Sequence, residues 1–333
     1  MHSSSSSSTS SSRFLLHLES APLVHNSSAD GFLIMGFSDS PELRGPLFLI
    51  FLLIYLVTLL GNLIIITLIS TNAHLQKPMY FFLCNLSCLD ISYSSVTAPY
   101  LLHIFSTGDN NISFTMCMVQ LYFFSSLATM EYMLLTTMAY DRYMAICKPL
   151  FYPQVMNQRT CILLAAAAWI GGFVSATPVT ILISTLNYCS SNIINHFFCD
   201  LTPLLKLSCD DTSTIELIIF IEGFFLLFGC SVLTMMSYLF IISAILKITS
   251  TQGRYKTFST CGSHLTSVTV FYVLMISVYL RPASVYSLAE SKFISVLYMN
   301  VIPMLNPIIY SLRNKDVIKA LKAISGNAQQ MNY

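Results

Sequence analysis

Met138-Ala-Tyr-Asp-Arg-Tyr-Met-Ala-Ile-Cys147 ends a long apolar run that starts near Cys117. In water, Asp141-Arg142 would be an ordinary exposed ion pair. At the foot of a segment long enough to cross a bilayer, charges are costly unless partnered, and such residues mark function. The stretch therefore reads as a switch at a membrane boundary.

Composition extends that reading to the whole chain. Of 333 residues, 55% are hydrophobic and 9% charged, and the mean hydropathy is +0.68. Soluble domains carry roughly 25% charged residues. A globular core of this size cannot hide so much apolar surface, so lipid must be the solvent for much of it. The net charge of +1 and the lack of a basic stripe exclude nucleic acid as a partner.

Seven apolar segments follow one another, at roughly Pro46 to Ile69, Met79 to Phe105, Cys117 to Tyr140, Cys161 to Ile183, Ile215 to Ile245, Phe258 to Leu280 and Phe293 to Leu312. Each approaches or exceeds the ~20 residues a spanning helix needs. The sequence thus predicts an all-α, seven-helix membrane bundle over residues 46–312, with an extracellular segment over 1–45 and a cytoplasmic tail over 313–333. Of the 16 Lys and Arg, only Arg13, Arg44, Lys206, Arg281 and Lys292 fall outside if the amino terminus is extracellular. Basic residues favour the cytoplasm, which selects that orientation. The serine-rich stretch before Asn26 reads as a disordered leader, and Asn26-Ser-Ser28 is a glycosylation sequon. In the tail, Val317, Ile318, Leu321 and Ile324 share one face, the pattern of a short amphipathic helix on the inner leaflet.

Read at 100° per residue, Phe124, Glu131, Leu135 and Arg142 lie within about 20° of one face of the third span, with Ala128 slightly off it. Glu131 stands ~16 Å above Arg142 along that helix. Asp90 is a second mid-membrane acid, and Asn306-Pro307 interrupts the seventh span beside an amide. Cys117, Cys189, Cys199 and Cys209 fall on the oxidising outer side and can pair in three ways. Cys147 and Cys261 face the cytosol and stay reduced, whereas Cys84, Cys88, Cys161 and Cys230 read as small apolar packing residues. No His/Cys cluster has the spacing of a metal site, and His196 reads as a loop residue.

Beyond a bare Asp-Arg-Tyr, the ten residues 138–147 resemble the signature of vertebrate olfactory receptors, a branch of the rhodopsin-like G-protein-coupled receptors. Pro78-Met-Tyr-Phe-Phe-Leu83, Lys256-Thr-Phe-Ser-Thr-Cys-Gly-Ser-His-Leu265, Ser237-Tyr238 and Pro303-Met-Leu-Asn-Pro-Ile-Ile-Tyr-Ser-Leu-Arg-Asn314 resemble the family too, so the likeness covers about residues 26–314. The span-six motif is similar to the tetrapod-type (class II) branch. The resemblance implies disulfides Cys117–Cys199 and Cys189–Cys209, glycosylation at Asn26, and activation through Asp141, Arg142, Tyr143, Tyr238, Asn306, Pro307 and Tyr310. It implies a polar core of Asn62, Asp90, Glu131 and Asn306, which in many relatives holds water and a sodium ion. Whether a cation binds here or one acid is protonated is left open by the residues. Further implications are an olfactory, stimulatory G protein, a rise in cyclic AMP, and the plasma membrane of sensory cilia.

Three departures stand beside the matches: the leader before Asn26 is longer than usual, Glu222 is not a usual family residue, and Cys230 replaces a proline on which the bulge of the fifth span depends. The third span has no acid between Met118 and Met130 for an amine ligand, and the seventh has no lysine between Ser295 and Ser311 for retinal. The family's ligand cavity maps onto Phe124, Ser125, Ala128 and Thr129 of span three, Glu222 of span five, and Tyr272, Met275, Ile276 and Tyr279 of span six. So apolar a lining suits a small, weakly polar volatile molecule. An enzyme reading finds no Gly-x-Ser-x-Gly elbow, His-Glu-x-x-His or phosphate loop. A transporter or ligand-gated channel is the stronger rival, because intramembrane acids also line ion paths, but seven spans do not divide into two repeats. A receptor for a metabolite outside the nose stays open.

Overall fold

The computed structural model describes residues 31–36, 41–189, 191–279, 292, 294–313 and 317–322. The serine-rich leader and the Asn26 sequon lie outside these residues.

Seven spans are present as helices: α1 (Pro41–Thr71), α2 (Pro78–Thr107), α3 (Phe114–Cys147), α5 (Gln158–Ser184), the run α7 (Ser213–Gly223) to α8 (Cys230–Leu246), α9 (Thr251–Tyr279) and, in span seven, α10 (Ile302–Arg313). Two short helices, α4 (Tyr152–Val155) and α6 (Leu201–Leu207), lie in the loops. Local chemistry sets the ends. Ser113 and Asn157 accept hydrogen bonds from the Met116 and Thr160 amides at 3.3 and 2.9 Å, capping α3 and α5. Pro78 opens α2 and Gly108, at φ 76°, closes it in the left-handed conformation.

Several helices outrun their apolar segments. Pro46 lies inside α1, α9 begins before Phe258, and α3 carries Asp141-Arg142 on its last two turns. Apolar length measures the bilayer, whereas a helix continues into water wherever its polar ends are solvated. The doubt over span five is also removed. A π-helical turn, Phe224–Gly229, immediately precedes Cys230. The bulge therefore does not need the proline.

On length and hydropathy alone, three described helices could cross a membrane: Glu42–Thr71, Gln158–Ser184 and Ser213–Leu246. The hydropathy of their apolar windows is 2.8, 1.8 and 2.3, and in each most of the window faces outward. Phe225, for instance, is 70% exposed. Such a surface is stable only against lipid. In contrast α3 has 34 residues but buries Gln120, Ser126, Thr129, Glu131 and Asp141. It packs against α2, α5, α8 and α9, so protein rather than lipid meets its polar side chains. Its contact with α5 is close: a Cβ on Gly172 would stand 2.5 Å from the Ser126 carbonyl oxygen and from Met130 Cγ.

At the end of the bundle that holds both disulfides the loops form a cap. Strands β1 (Phe32–Ile34), β2 (Asn111–Ile112) and β3 (Ile193–Ile194) make a sheet of order β2-β1-β3, β1 being antiparallel to β2 and parallel to β3. Gly31, at φ 88°, lies where a Cβ would be 2.3 Å from the Ile112 carbonyl oxygen. Cys117–Cys199 ties the loop to α3 and Cys189–Cys209 closes it on itself, with Cα separations of 5.4 and 5.9 Å. The Lys292 ammonium donates to the Met35 and Gly36 carbonyls at 2.9 and 3.0 Å. Within the amino-terminal segment the sequence assigned no secondary structure to residues 31–36, and Phe32–Ile34 of them form the middle strand. At the other end residues 317–322 are helical, with Val317 buried.

Gly172→Ala must therefore displace backbone or Met130 and should cost about 1–3 kcal/mol, read as a lower melting temperature of the purified protein. Gly171→Ala meets only the flexible end of Met133 at 3.2 Å and should melt close to the parent.

Candidate functional site: a buried polar column between two helix-bundle ends

The column starts in the middle of the bundle. Asp90 is fully buried on α2, and both its carboxylate oxygens accept from the Asn306 amide at 3.1 Å. Asn62, equally buried on α1, donates to the Pro303 carbonyl at 3.1 Å and to Thr58 at 3.0 Å. Pro307 leaves a helical carbonyl without its usual donor, and neighbouring polar side chains stabilise this interrupted stretch. Gly61 makes the approach feasible, since a Cβ there would stand 2.9 Å from the Pro307 ring. Glu131 reaches the same layer from α3, close enough to Asp90 for their charges to interact. Glu131 Oε1 and Asn62 Oδ1 are buried without a hydrogen-bond partner. Asp90 and Asn306 are thus in direct contact, Asn62 bonds the same stretch of span seven, and the unpartnered atoms of Asn62 and Glu131 are oxygens, the donor type that hard cations take.

At the end of the bundle away from the disulfides Asp141 is completely buried and Arg142 is 12% exposed. Arg142 Nε donates to Asp141 Oδ2 at 2.8 Å, and Nη2 reaches the same oxygen. Tyr152, on the loop helix α4, donates its hydroxyl to the other carboxylate oxygen at 2.9 Å. Burial and the adjacent Asp141 carboxylate push the Tyr152 phenol above its ordinary value, so it stays a donor. Tyr238 of α8 is hydrogen-bonded to His264 Nδ1 on α9, and Tyr310 of α10 is buried nearby in the inner core. Tyr143 packs against the cluster that contains Tyr238, with its ring 6.4 Å from Tyr140 and 5.8 Å from Phe240. Tyr152 and His264 escaped the sequence reading, because a loop tyrosine and a histidine inside a family motif carry no periodic signal.

In the outer half the expected ligand residues separate into groups. Phe124 is buried among aromatic rings, with centroids 4.7 Å from Phe198, 5.3 Å from Tyr93 and 6.0 Å from Tyr298. Phe198 belongs to the outer loop and Tyr298 to the π-helical start of span seven (Leu297–Val301). Ser125 and Ala128 are half-buried, while the Thr129 hydroxyl turns to Ser175 of α5 at 3.3 Å. Tyr272 lies deeper, its hydroxyl 3.5 Å from Thr234, which in turn is 3.3 Å from Thr136. This chain of hydroxyls crosses from α9 to α8 to α3. Phe271 packs edge-on against Tyr132 at 4.8 Å, and Met275 is buried in the same core. Glu222, half-buried just before the π-helical turn, has no hydrogen-bond or ion-pair partner among the described residues. The side chains of Ile276 and Tyr279 lie outside the described residues. Sequence periodicity missed Tyr93, Phe198 and Tyr298, since two of them come from a loop and an irregular turn.

Comparison with known proteins agrees with this geometry. The sequence model of the olfactory receptor family matches residues 51–327. Mouse olfactory receptor 5AR1 is 48% identical over 299 residues, which are 90% of this chain and 96% of that protein. Human olfactory receptor 5B12 is 48% identical over 308 residues, 92% and 98% of the two chains. The crystal structure of squid rhodopsin superposes with a TM-score of 0.64 over 86% of each chain at 17% identity, a likeness of fold. A seven-helix bundle of rhodopsin type, outer disulfides, an interrupted seventh span and full-length similarity at this level have one meaning: the chain is a multi-pass membrane protein of the olfactory receptor family, a receptor and not an enzyme.

Proposed function

We propose that this receptor binds a small, weakly polar volatile molecule among spans three, five and six and activates an olfactory-type stimulatory G protein, raising cyclic AMP. The observation that carries the reading is the Asp141 carboxylate, held at once by Arg142 of its own helix and by Tyr152 of the adjoining loop helix. A buried charge with two partners is a closed state that costs free energy to open. Ligand binding releases Arg142 only to the extent that the ligand prefers the open form. Tyr272, in hydroxyl contact with Thr234 and so with Thr136, joins the ligand region to the helices that would move.

The outer half, with Phe124, Ser125, Ala128, Thr129, Tyr272, Met275, Ile276 and Tyr279, offers apolar surface and few hydroxyls, which favours burial with one or two hydrogen bonds. Glu222 is the acidic exception and would select a basic or hydroxyl-bearing group. A sodium ion would be held by Asp90 and Glu131 with the Asn62 side-chain carbonyl, a fit supported by the unpartnered Glu131 Oε1 and Asn62 Oδ1; it would neutralise two acids that otherwise share a dry layer. The amino terminus lies outside in this reading, supported by disulfides gathered at one end of the bundle. A glycan at Asn26, the ciliary plasma membrane and inner-leaflet lipid against the tail helix complete the setting.

With the olfactory G protein present, Arg142→Ala should abolish ligand-driven cyclic AMP at unchanged surface level; an undiminished response sinks the coupling role. Asp141→Asn and Tyr152→Phe weaken the closed state and should raise basal cyclic AMP several-fold, Asp141→Asn more. The losses of about 1–3 kcal/mol expected for a charged hydrogen bond set that scale. Glu222→Gln should reorder a panel of volatiles, lowering the rank of basic and hydroxylated members relative to hydrocarbons.

A further inference from the structure

The lipid-facing side of α5 begins with a charge that the protein does not match. Arg159 is exposed in the first turn and makes no hydrogen bond or ion pair with any described residue. No Asp or Glu occurs between Asp141 and Asp200, so neither α5 nor the loop helix α4 supplies a counter-charge. Of the helices packed most extensively on α5, which are α2, α3 and α7, only α3 brings an acid to this end. That acid, Asp141, is buried and already held by Arg142 and Tyr152. The start of α5 adds to the unmatched charge, because a helix amino terminus is itself partly positive. Its position is fixed: Asn157 accepts from the Thr160 amide and donates to the Gln154 carbonyl, both at 2.9 Å, and Met156 is buried.

Beside Arg159 the surface is hollow. Gln158, Arg159, Ile162 and Leu163 line an open groove of about 310 Å³. At 100° per residue Leu163, Ile170, Val174 and Ile181 lie within about 60° of the Arg159 direction, and these four are 57–64% exposed. Ala166, between Leu163 and Ile170, adds only a methyl group to that face. Along the helix, Arg159 and Ile170 are ~16 Å apart, about half of a hydrocarbon core of ~30 Å. An arginine thus heads a strip of aliphatic side chains one leaflet long.

We propose that this groove holds one anionic phospholipid of the adjacent leaflet, its phosphate on Arg159 and an acyl chain along the exposed face of α5. The site is separate from ligand binding and G-protein coupling and rests on neither. A guanidinium gives a phosphate two parallel hydrogen bonds, and Gln158 on the same rim has a side-chain amide to add another. A zwitterionic headgroup brings its own cation beside Arg159 and cancels part of the attraction; a headgroup of net negative charge does not. A soluble anion would meet the charge but leave Ile162 and Leu163 bare, and a neutral sterol would cover those side chains but leave the charge unmatched.

The test incubates the full-length receptor, purified in detergent micelles, with equimolar phosphatidylserine and phosphatidylcholine and counts retained lipid by native mass spectrometry. In the parent the first phosphatidylserine should be held about fivefold more tightly than the first phosphatidylcholine. Arg159→Ala should remove most of that preference. Leu163→Trp, which keeps the charge and fills the groove, should lower retention of both lipids. Lys148, exposed at the same end but outside the groove, is the control, and Lys148→Ala should behave as the parent. Equal retention of the two lipids by the parent overturns the proposal, as does unchanged lipid retention in Leu163→Trp. A loss in Lys148→Ala as large as that in Arg159→Ala would reveal general surface charge instead of a site and overturns it as well. Displacement of the phosphatidylserine by an equal mole fraction of cholesterol would make the groove a sterol seat, again against the proposal.

Discussion

Polar groups placed where water cannot reach them must satisfy one another, and this constraint organises the bundle. Asp90 accepts both of its described hydrogen bonds from Asn306. Asn62 reaches across from the first span to a backbone carbonyl at Pro303. Each contact joins helices far apart in sequence, so the helices cannot slide past one another without stranding a buried polar group. Apolar packing against lipid gives little such discrimination, because lipid tails and leucine are alike as surroundings. The unique arrangement of the spans is therefore specified mainly by a few polar residues in a chain that is 55% hydrophobic.

The same residues explain the division of labour among helices. α1, α5 and the α7–α8 run expose leucine, isoleucine and phenylalanine to the lipid. α3, enclosed by other helices, can afford acids, amides and hydroxyls along its length. Its central position is what allows one helix to carry Phe124 in the outer half, Glu131 in the middle and Arg142 at the inner end. A displacement felt at any of these levels is shared by the others through a stiff rod of about 50 Å.

Much of this was legible in the sequence. Seven apolar segments gave the spans, and the periodicity of the third placed Phe124, Glu131 and Leu135 on an inward face where all three are buried. Family motifs paired the four outer cysteines, which residue spacing alone left in three arrangements. What escaped were contacts made by irregular segments. Tyr152, Phe198, Tyr298 and the strand Phe32–Ile34 lie in loops or π-helical turns, where no period links position to direction. The bulge of span five also escaped. Proline is one way to release a helical hydrogen bond, but Phe224–Gly229 widens without it between glycines whose neighbourhoods are open. Helix ends were misjudged for a different reason, since hydropathy reports the thickness of the lipid rather than the length of the helix.

The sheet of the outer cap has its own consequence. β1 lies between β2 and β3, and hydrogen bonds from Leu33 and Ile34 link it to the neighbouring loops at 2.8 and 2.9 Å. The amino-terminal arm is thus a keystone laid in from a remote part of the chain, with Lys292 of the last span as its clasp. Engineering of the amino terminus has a natural limit there. Epitope tags and secretion leaders can be grafted upstream of Gly31, whereas a cut beyond it would leave both flanking strands as raw edges over the mouth of the receptor.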